Sequence, residues 1–468
     1  MTARLLALVA LACSCARAAA PPPAEGASGE PRPSTATASA AEASSTPTGS
    51  VASGDAAVAS AAQASGATAA GPDGSSASAN GATTEPAVAG EDFIDEARVL
   101  FRVAACGGPG GAIAGSDGGD ASEPLPARFD PAVVGRHCDE LGRAYRDYQR
   151  SWVDVAEPFI ASLRPGDLPR RVVYPFGGGD LASAMATFPD ATEITTISLE
   201  PAGDVRPVDK LPGDRLAHEL AEHRAHLERL FEKAHSRTDN LEKESKTELP
   251  GEVIFALAAL AVHGDEPVSL RYFRLLPDGA IAYVTKADID ATTGAERRAL
   301  FSNVELRFRR AGAPDAPVRV VRHISFNLDD AHLRSDPSLV AHLSAKGKVA
   351  AMTKAASHLL WNDHFSLIRG WLIDHTDWMI SDSTGIPPRF AAPAGFVQDT
   401  YGTFAGPAPF GLLDARDAAD FKKLFASEPA RELAFRYGYP DKDGHGHLIV
   451  TRRPPGGAGA VAEPDSAH

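Results

Sequence analysis

The sequence lacks any sustained basic stripe or any interleaving of basic with aromatic residues. Its 61 acids outnumber 46 lysines and arginines, a formal net charge of −15, so nothing is placed to neutralise a row of phosphates and nucleic acid is not an expected partner. It also lacks an apolar run of the ~20 residues that a bilayer core requires. The longest in the foldable part, residues 253–262, rises only about 15 Å as a helix and reads as a buried core helix. Aromatic residues are missing altogether from 18–90, which is almost wholly Ala, Ser, Thr, Gly and Pro. Such a chain cannot bury enough apolar surface to offset its conformational entropy; it is expected to be a flexible tether, and ~70 residues of Gly/Ser-like coil have a root-mean-square span of about 45 Å. No G-x-S-x-G elbow is present, nor an S-x-x-K with its companion motifs, so acyl-serine chemistry has no support in the sequence. No internal repeat is evident.

Cysteine is scarce, with four in the chain. Two of them, Cys13 and Cys15, follow one early cation, Arg4, and the apolar run 5–12. That is the layout of an export signal, too short to span a membrane, and it resembles bacterial lipoprotein signals, in which a cysteine after small residues becomes the lipidated first residue of the mature chain. The resemblance implies lipid attachment at Cys13, with Cys15 as the alternative and an ordinary cleaved signal as the plainer reading. Neither Ser14 nor Ala16 is the aspartate that retains such proteins at the inner membrane, so the outer membrane is the implied address within the cell envelope. The remaining pair, Cys106 and Cys138, reads as a disulfide in an oxidising compartment, against the alternative of two buried thiols.

Residues 1–15 are thus expected to be signal, 16–91 tether, 92–453 a globular α/β region and 454–468 a disordered tail, with two lobes, about 92–265 and 266–453, as an alternative division. Within the globular part Leu141, Tyr145, Tyr148, Trp152 and Val155 recur at helical spacing, and Pro158 is expected to end or kink that helix. The strand of VVYPFGGGD, a helix over 181–187 and a strand over 193–199 make a β-α-β unit. A charged helix is expected over 214–246. Its histidines do not make a metal site: His218 and His223 are five apart, about 140° round the helix, and His223 with His226 supplies two ligands only. Antiparallel hairpins follow over 269–285 and 304–326. Helical patterns come next, from 337 to 374, then strands at 377–381 and 396–404, a helix over 415–425 and two closing strands.

Three acids are placed at strand ends, where α/β folds put their sites. Asp180 follows the first strand, Glu200 ends the second, and Asp382 follows the strand DWMIS with Arg389 nearby as a counter-charge. If the strands are parallel neighbours, the three acids converge on one rim. The plainer reading is that Asp180 caps a helix and Asp382 makes an Asx turn. The same strand, glycine loop, helix, strand and acid match the layout of a dinucleotide or S-adenosylmethionine site, with Gly177, Gly178, Gly179 and Glu200 as cofactor-binding candidates. Three consecutive glycines are not G-x-G-x-x-G, however, and no cofactor is expected. His358, His364 and His375 sit in a segment whose apolar spacing explains it as packing first.

The strings YPFGGGD, FPDA, ISLEPAG and SDSTGIPPRF resemble those of a group of uncharacterised exported bacterial proteins, over most of 172–439. That resemblance implies one shared fold and brings no activity, cofactor or catalytic residue. The expected fold is mixed α/β, a Rossmann-like β-α-β half with an antiparallel β extension and flanking helices. The expected role is a membrane-anchored envelope lipoprotein whose soluble domain binds a small molecule or an envelope protein. The alternatives are a cofactor-independent hydrolase or lyase using the acidic rim and, further off, a methyltransferase-like nucleotide-binding domain.

Overall fold

The computed structural model describes residues 90–108, 125–233, 249–407 and 415–454. The expected signal with Cys13 and Cys15, the expected tether as far as residue 89 and the expected tail from residue 455 lie outside the described residues. The helices in chain order are α1 (Ile94–Val103), α2 (Pro131–Tyr148), a π-helical turn (Gln149–Val153) running into α3 (Asp154–Leu163), α4 (Leu181–Thr187), α5 (Gly213–Lys233), α6 (Gly251–Val262), α7 (Lys286–Ala291), α8 (Gly294–Ala299), α9 (Asp330–Ser335), α10 (Ser338–Ser344), α11 (Ser366–His375), α12 (Pro388–Ala391) and α13 (Ala415–Ser427). The strands are β1 (Arg171–Pro175), β2 (Glu193–Ser198), β3 (Asp265–Leu275), β4 (Ile281–Tyr283), β5 (Asn303–Arg310), β6 (Arg319–Ser325), β7 (Val349–Thr353), β8 (Thr376–Ser381), β9 (Val397–Gly402) and β10 (His447–Arg452).

All ten strands form one sheet in the order β4-β3-β5-β6-β2-β1-β7-β8-β10-β9. Its centre, β6 to β8, is parallel, and both wings are antiparallel. The fold is therefore the mixed α/β class, a β1-α4-β2 unit extended by antiparallel strands and flanked by helices. Strands from both sides of residue 265 are interleaved in this sheet, so that position marks no boundary within it. The chain winds from β1 outward through β2 to β6 and then returns to place β7 on the other side of β1. The gap between β1 and β7 is thus the topological switch point, the place where open α/β sheets bind their ligands.

The sheet separates two apolar layers. Val172 and Tyr174, Ala350 and Met352, and Trp378 and Ile380 face a core shared with α2, α4 and α6. Val173, Ala351 and Met379 face a second core with α10 and α11. The alternation is the period of two that a strand imposes.

Three details differ from the sequence expectations. The helix through Tyr148 does not end at Pro158 but continues to Leu163; the change of hydrogen bonding falls upstream, at the π-helical turn, where a widened helix takes up local misfit. The stretch 337–374 contains a strand, β7. Its Ala350, Ala351 and Met352 favour helices intrinsically, but the slot beside β1 buries all five residues of the strand, and tertiary placement overrides propensity. Only one closing strand, β10, is present among the described residues.

Cys106 and Cys138 are joined, with their Cα atoms 5.3 Å apart across a separation of 32 residues. The bond ties the end of α1 to α2. Reducing it is expected to lower the unfolding free energy by ~3 to 4 kcal/mol if the effect is mainly loop entropy. Urea midpoints with and without reductant measure this, and equal midpoints would show that the bond adds no stability. No helix among the described residues is long and apolar enough to cross a membrane.

Candidate functional site

The strand alternation continues off the strand ends and explains what gathers at the switch point. Position 174 on β1, 354 one residue beyond β7 and 382 one residue beyond β8 share the face of Val172, Met352 and Ile380. Tyr174, Lys354 and Asp382 therefore come together at the C-terminal rim, all buried. Asp180, which begins the turn into α4, points its carboxylate into the same place. It makes no capping hydrogen bond; instead its Oδ2 accepts from the Tyr174 hydroxyl at 2.9 Å and lies 2.6 Å from Lys354 Nζ.

Lys354 is fully buried. Its ammonium meets Asp180 on one side and the rings of Tyr437 and Trp152 at 5.3 and 5.9 Å. The contact with Asp180 is close, but Nζ makes no well-directed hydrogen bond among the described residues. An ammonium has three N–H donors, so donor capacity remains. Burial, then the charge of Asp180, drives the Tyr174 hydroxyl well above its ordinary pKa. Burial with the charges of Asp180 and Asp382 does the same for Tyr437, so both phenols stay protonated.

Asp382 is a clamp. Its Oδ1 accepts from the backbone N–H of Thr384 at 2.8 Å, the expected Asx turn, and from the Thr384 hydroxyl. Its Oδ2 accepts from the N–H of Tyr439 at 2.9 Å, which fastens the strap 437–439 over the rim. Gly438 has φ +68°, and a Cβ there would lie 2.0 Å from Asp382 Oδ2 and 2.8 Å from Lys354 Cγ. No side chain fits between the two.

Glu200 and Arg389 do not join this cluster. Glu200 lies with Glu252 and His323 on the β2–β6 side. Neither of its carboxylate oxygens has a hydrogen-bond partner among the described residues, and burial followed by the charge of Glu200 raises the Glu252 carboxyl well above the usual range. His323 donates from Nε2 to the Glu200 carbonyl at 2.8 Å, and its Nδ1 lies 3.2 Å from the Thr196 hydroxyl. The carbonyl bond requires a proton on Nε2, and burial, which lowers this histidine to about 4, leaves Nδ1 to accept from Thr196. Arg389 instead pairs with Asp420 at 3.1 Å. The convergence expected of Asp180, Glu200, Asp382 and Arg389 is thus realised for Asp180 and Asp382 only. The turn after β2 carries Glu200 to the other side of the glycine loop, towards α6.

The glycine loop is filled by protein. A Cβ on Gly177 would lie 2.7 Å from the Tyr174 ring, and one on Gly179 would lie 2.9 Å from the Phe255 ring. Gly178 is left-handed, as is the non-glycine Phe176 at φ +60°. The three glycines allow a tight, strained turn in which positions 177 and 179 pack against two aromatic rings. Among the described residues, Asp441, Asp443 and His445 have atoms within metal-ligand range of one another. The Asp441 oxygens there accept backbone N–H groups of Ala405, Asp443 and His445, so the group is a turn stitched by its own carboxylate.

Lys354 is the residue that sequence reading missed. Its signal was the short apolar run 349–352 followed by Thr353 and the lysine, hidden by a composition that favours helix. At the opposite end of the strands the ionic contacts are of another kind. Glu193 meets Lys346 and, at 2.8 Å, Arg322, which reaches on to Glu305 at 2.7 Å, a network in which every member has a partner. A comparison with known proteins finds no matching family, no similar curated sequence and no similar solved structure.

Proposed function

We propose that the chain is an exported, lipid-anchored envelope protein whose α/β domain takes a small polar ligand at the C-terminal rim of its sheet, between β1 and β7. The observation that carries this reading is Lys354. It is a completely buried ammonium at the switch point, held by one carboxylate and two aromatic faces, with N–H donors left over. A buried ion pair is a poor stability device, because desolvation offsets most of the attraction, and incompletely used polar groups at a rim are what a binding site requires. The strained Phe176–Gly178 turn at the same rim agrees, since such strain clusters at ligand sites.

A hydrolase or lyase built on three rim acids is less well supported, because Glu200 belongs to a separate cluster and Asp382 is occupied by three donors. The binding reading is tested by native mass spectrometry of the domain incubated with a small-molecule extract of the cell envelope. Wild-type protein is expected to retain an adduct that Asp180→Asn/Lys354→Met does not; identical adduct patterns would contradict it. The anchor is tested separately. Cys13→Ser is expected to move the protein from the membrane to the soluble fraction, and unchanged fractionation of that variant and of the Cys13/Cys15 double variant would rule out lipid attachment there.

A further inference from the structure

Between α2 and α5 runs a groove of about 590 Å³, lined by both signs of charge, including Arg143, Asp147 and Glu228, with Tyr148 and Phe231 on its apolar side. Tyr148 belongs to the groove and to the interior at once. Its ring packs on Phe231 with centroids 4.7 Å apart. Its hydroxyl is buried with no well-directed hydrogen-bond partner among the described residues, and burial with the charge of Asp180 keeps it protonated. Trp152 stacks parallel on Tyr148, with centroids 5.5 Å apart and planes 9° from coplanar. Lys354 Nζ lies 5.9 Å from that indole ring. One aromatic layer therefore separates the groove from the buried ammonium. Trp152 is carried by the π-helical turn Gln149–Val153, which Tyr148 caps, a rare geometry that is frequent at functional sites. The indole N–H of Trp152 donates to the Arg436 carbonyl at 2.7 Å, which links the layer to the strap whose Tyr437 covers the other side of Lys354.

We propose that this groove is the outer half of the ligand site, that Tyr148 and Trp152 form the partition that moves aside to admit the ligand, and that the ligand presents an uncharged hydrogen-bond acceptor, a carbonyl or hydroxyl oxygen, to Lys354. The proposal rests on the binding reading above and adds its route and the chemistry of its ligand. The charges at the inner site give the second part. Among the described side chains of this cluster, two carboxylates, Asp180 and Asp382, stand with one ammonium, Lys354, so an anion would face two carboxylates. A cation would compete with Lys354 for Asp180. The remaining N–H donors of Lys354 suit a neutral acceptor, which adds no charge to a dry site.

Modification of Lys354 by methyl acetimidate, a small amine reagent, tests this in the intact protein, with peptide mass spectrometry as the readout and exposed Lys348 as internal reference. Trp152→Ala is expected to raise the rate at Lys354 at least tenfold relative to Lys348. Leu372→Ala, a cavity on the opposite face of the sheet, is expected to change it less than twofold. Ala144→Phe, which narrows the groove without touching the inner cluster, is expected to slow it and keeps the test decisive should Trp152→Ala not fold. Equal rises in Trp152→Ala and Leu372→Ala would mean that reagent enters by global unfolding, and an unchanged rate in Ala144→Phe would mean that it enters elsewhere; either overturns the route. In wild type, acetamide is expected to protect Lys354 more than acetate or methylammonium at equal concentration, and equal or greater protection by either ion would overturn the neutral-acceptor assignment. Loss of the route with the adduct of wild-type protein intact would reject this inference and leave the binding reading standing.

Discussion

Acidification from pH 7 to pH 4.5 is expected to unfold the domain or bring it to the edge of unfolding. His137, His263, His323 and His342 are each lowered to about 4, mainly by burial. His223 and His447 are pushed down by burial as well. The ring bonds are of one kind: His137 and His263 donate Nε2–H to the carbonyls of Ala104 and Ala182, and His342 donates Nδ1–H to that of Gly279. The second ring nitrogen of His137 and of His342 is buried with no hydrogen-bond partner among the described residues, so protonating it places an unpaired charge in the interior. In the unfolded chain the same histidines take up protons near 6.5. Between 6.5 and 4 the unfolded state binds more protons, so stability falls as pH falls through that window. A shift of this size corresponds to ~3 kcal/mol for each histidine at the bottom of the window. Two or three such contributions rival the ~5–15 kcal/mol that holds a typical domain together. Glu252 and Asp265 act in the opposite sense, because burial raises both carboxyls and so favours the folded state at low pH, but they are two groups against several. Urea midpoints between pH 7 and pH 4.5 measure the balance, and a midpoint that stays level or rises on acidification would contradict it.

Lys354→Met is expected to cost ~3–5 kcal/mol, the usual loss when one partner of a buried ion pair is removed. The methionine fills much of the same volume, so the loss comes from Asp180, whose carboxylate keeps, among the described residues, the Tyr174 hydroxyl alone in a site closed by Trp152 and Tyr437. Thermal and urea unfolding read the effect. An exposed pair such as Lys348 with Asp377, 2.8 Å apart and half exposed on both sides, gives the contrast, since Lys348→Met should change stability by less than ~1 kcal/mol. Similar losses in the two variants would mean that the interior around Lys354 is wetter than its burial implies.

The fold and the candidate site were legible in the sequence to different degrees. The β1-α4-β2 unit was readable because strand and helix periods changed cleanly across YPFGGGD, and the 181–187 helix has the bounds its sequence suggested. Asp180 and Asp382 were readable as strand-end acids because Gly and Pro punctuate the turns beside them. Glu200 shows the limit of that reasoning: it also follows a parallel strand, yet the turn after β2 sends its carboxylate towards Glu252 on a helix some 50 residues later, a pairing no local pattern encodes. Arg389 is sequence-near to Asp382 but follows Pro387 and Pro388 into α12, which turns it to Asp420. Lys354 stayed hidden because an alanine-rich strand looks helical until the neighbouring strands that bury it are known.

The central claim is that Asp180 and Lys354 are held together at the switch point for binding and not for stability, and the unfolding free energy of Asp180→Asn/Lys354→Met tests it most directly. If the pair serves binding, removing both charges relieves the orphaned carboxylate of the single variant. The double variant should then lie within ~1 kcal/mol of wild type or above it, as replaced buried pairs commonly do, with a coupling of several kcal/mol between the two sites. A double variant as unstable as the sum of its two single variants would contradict the account, because it would make the pair a fixture of the fold.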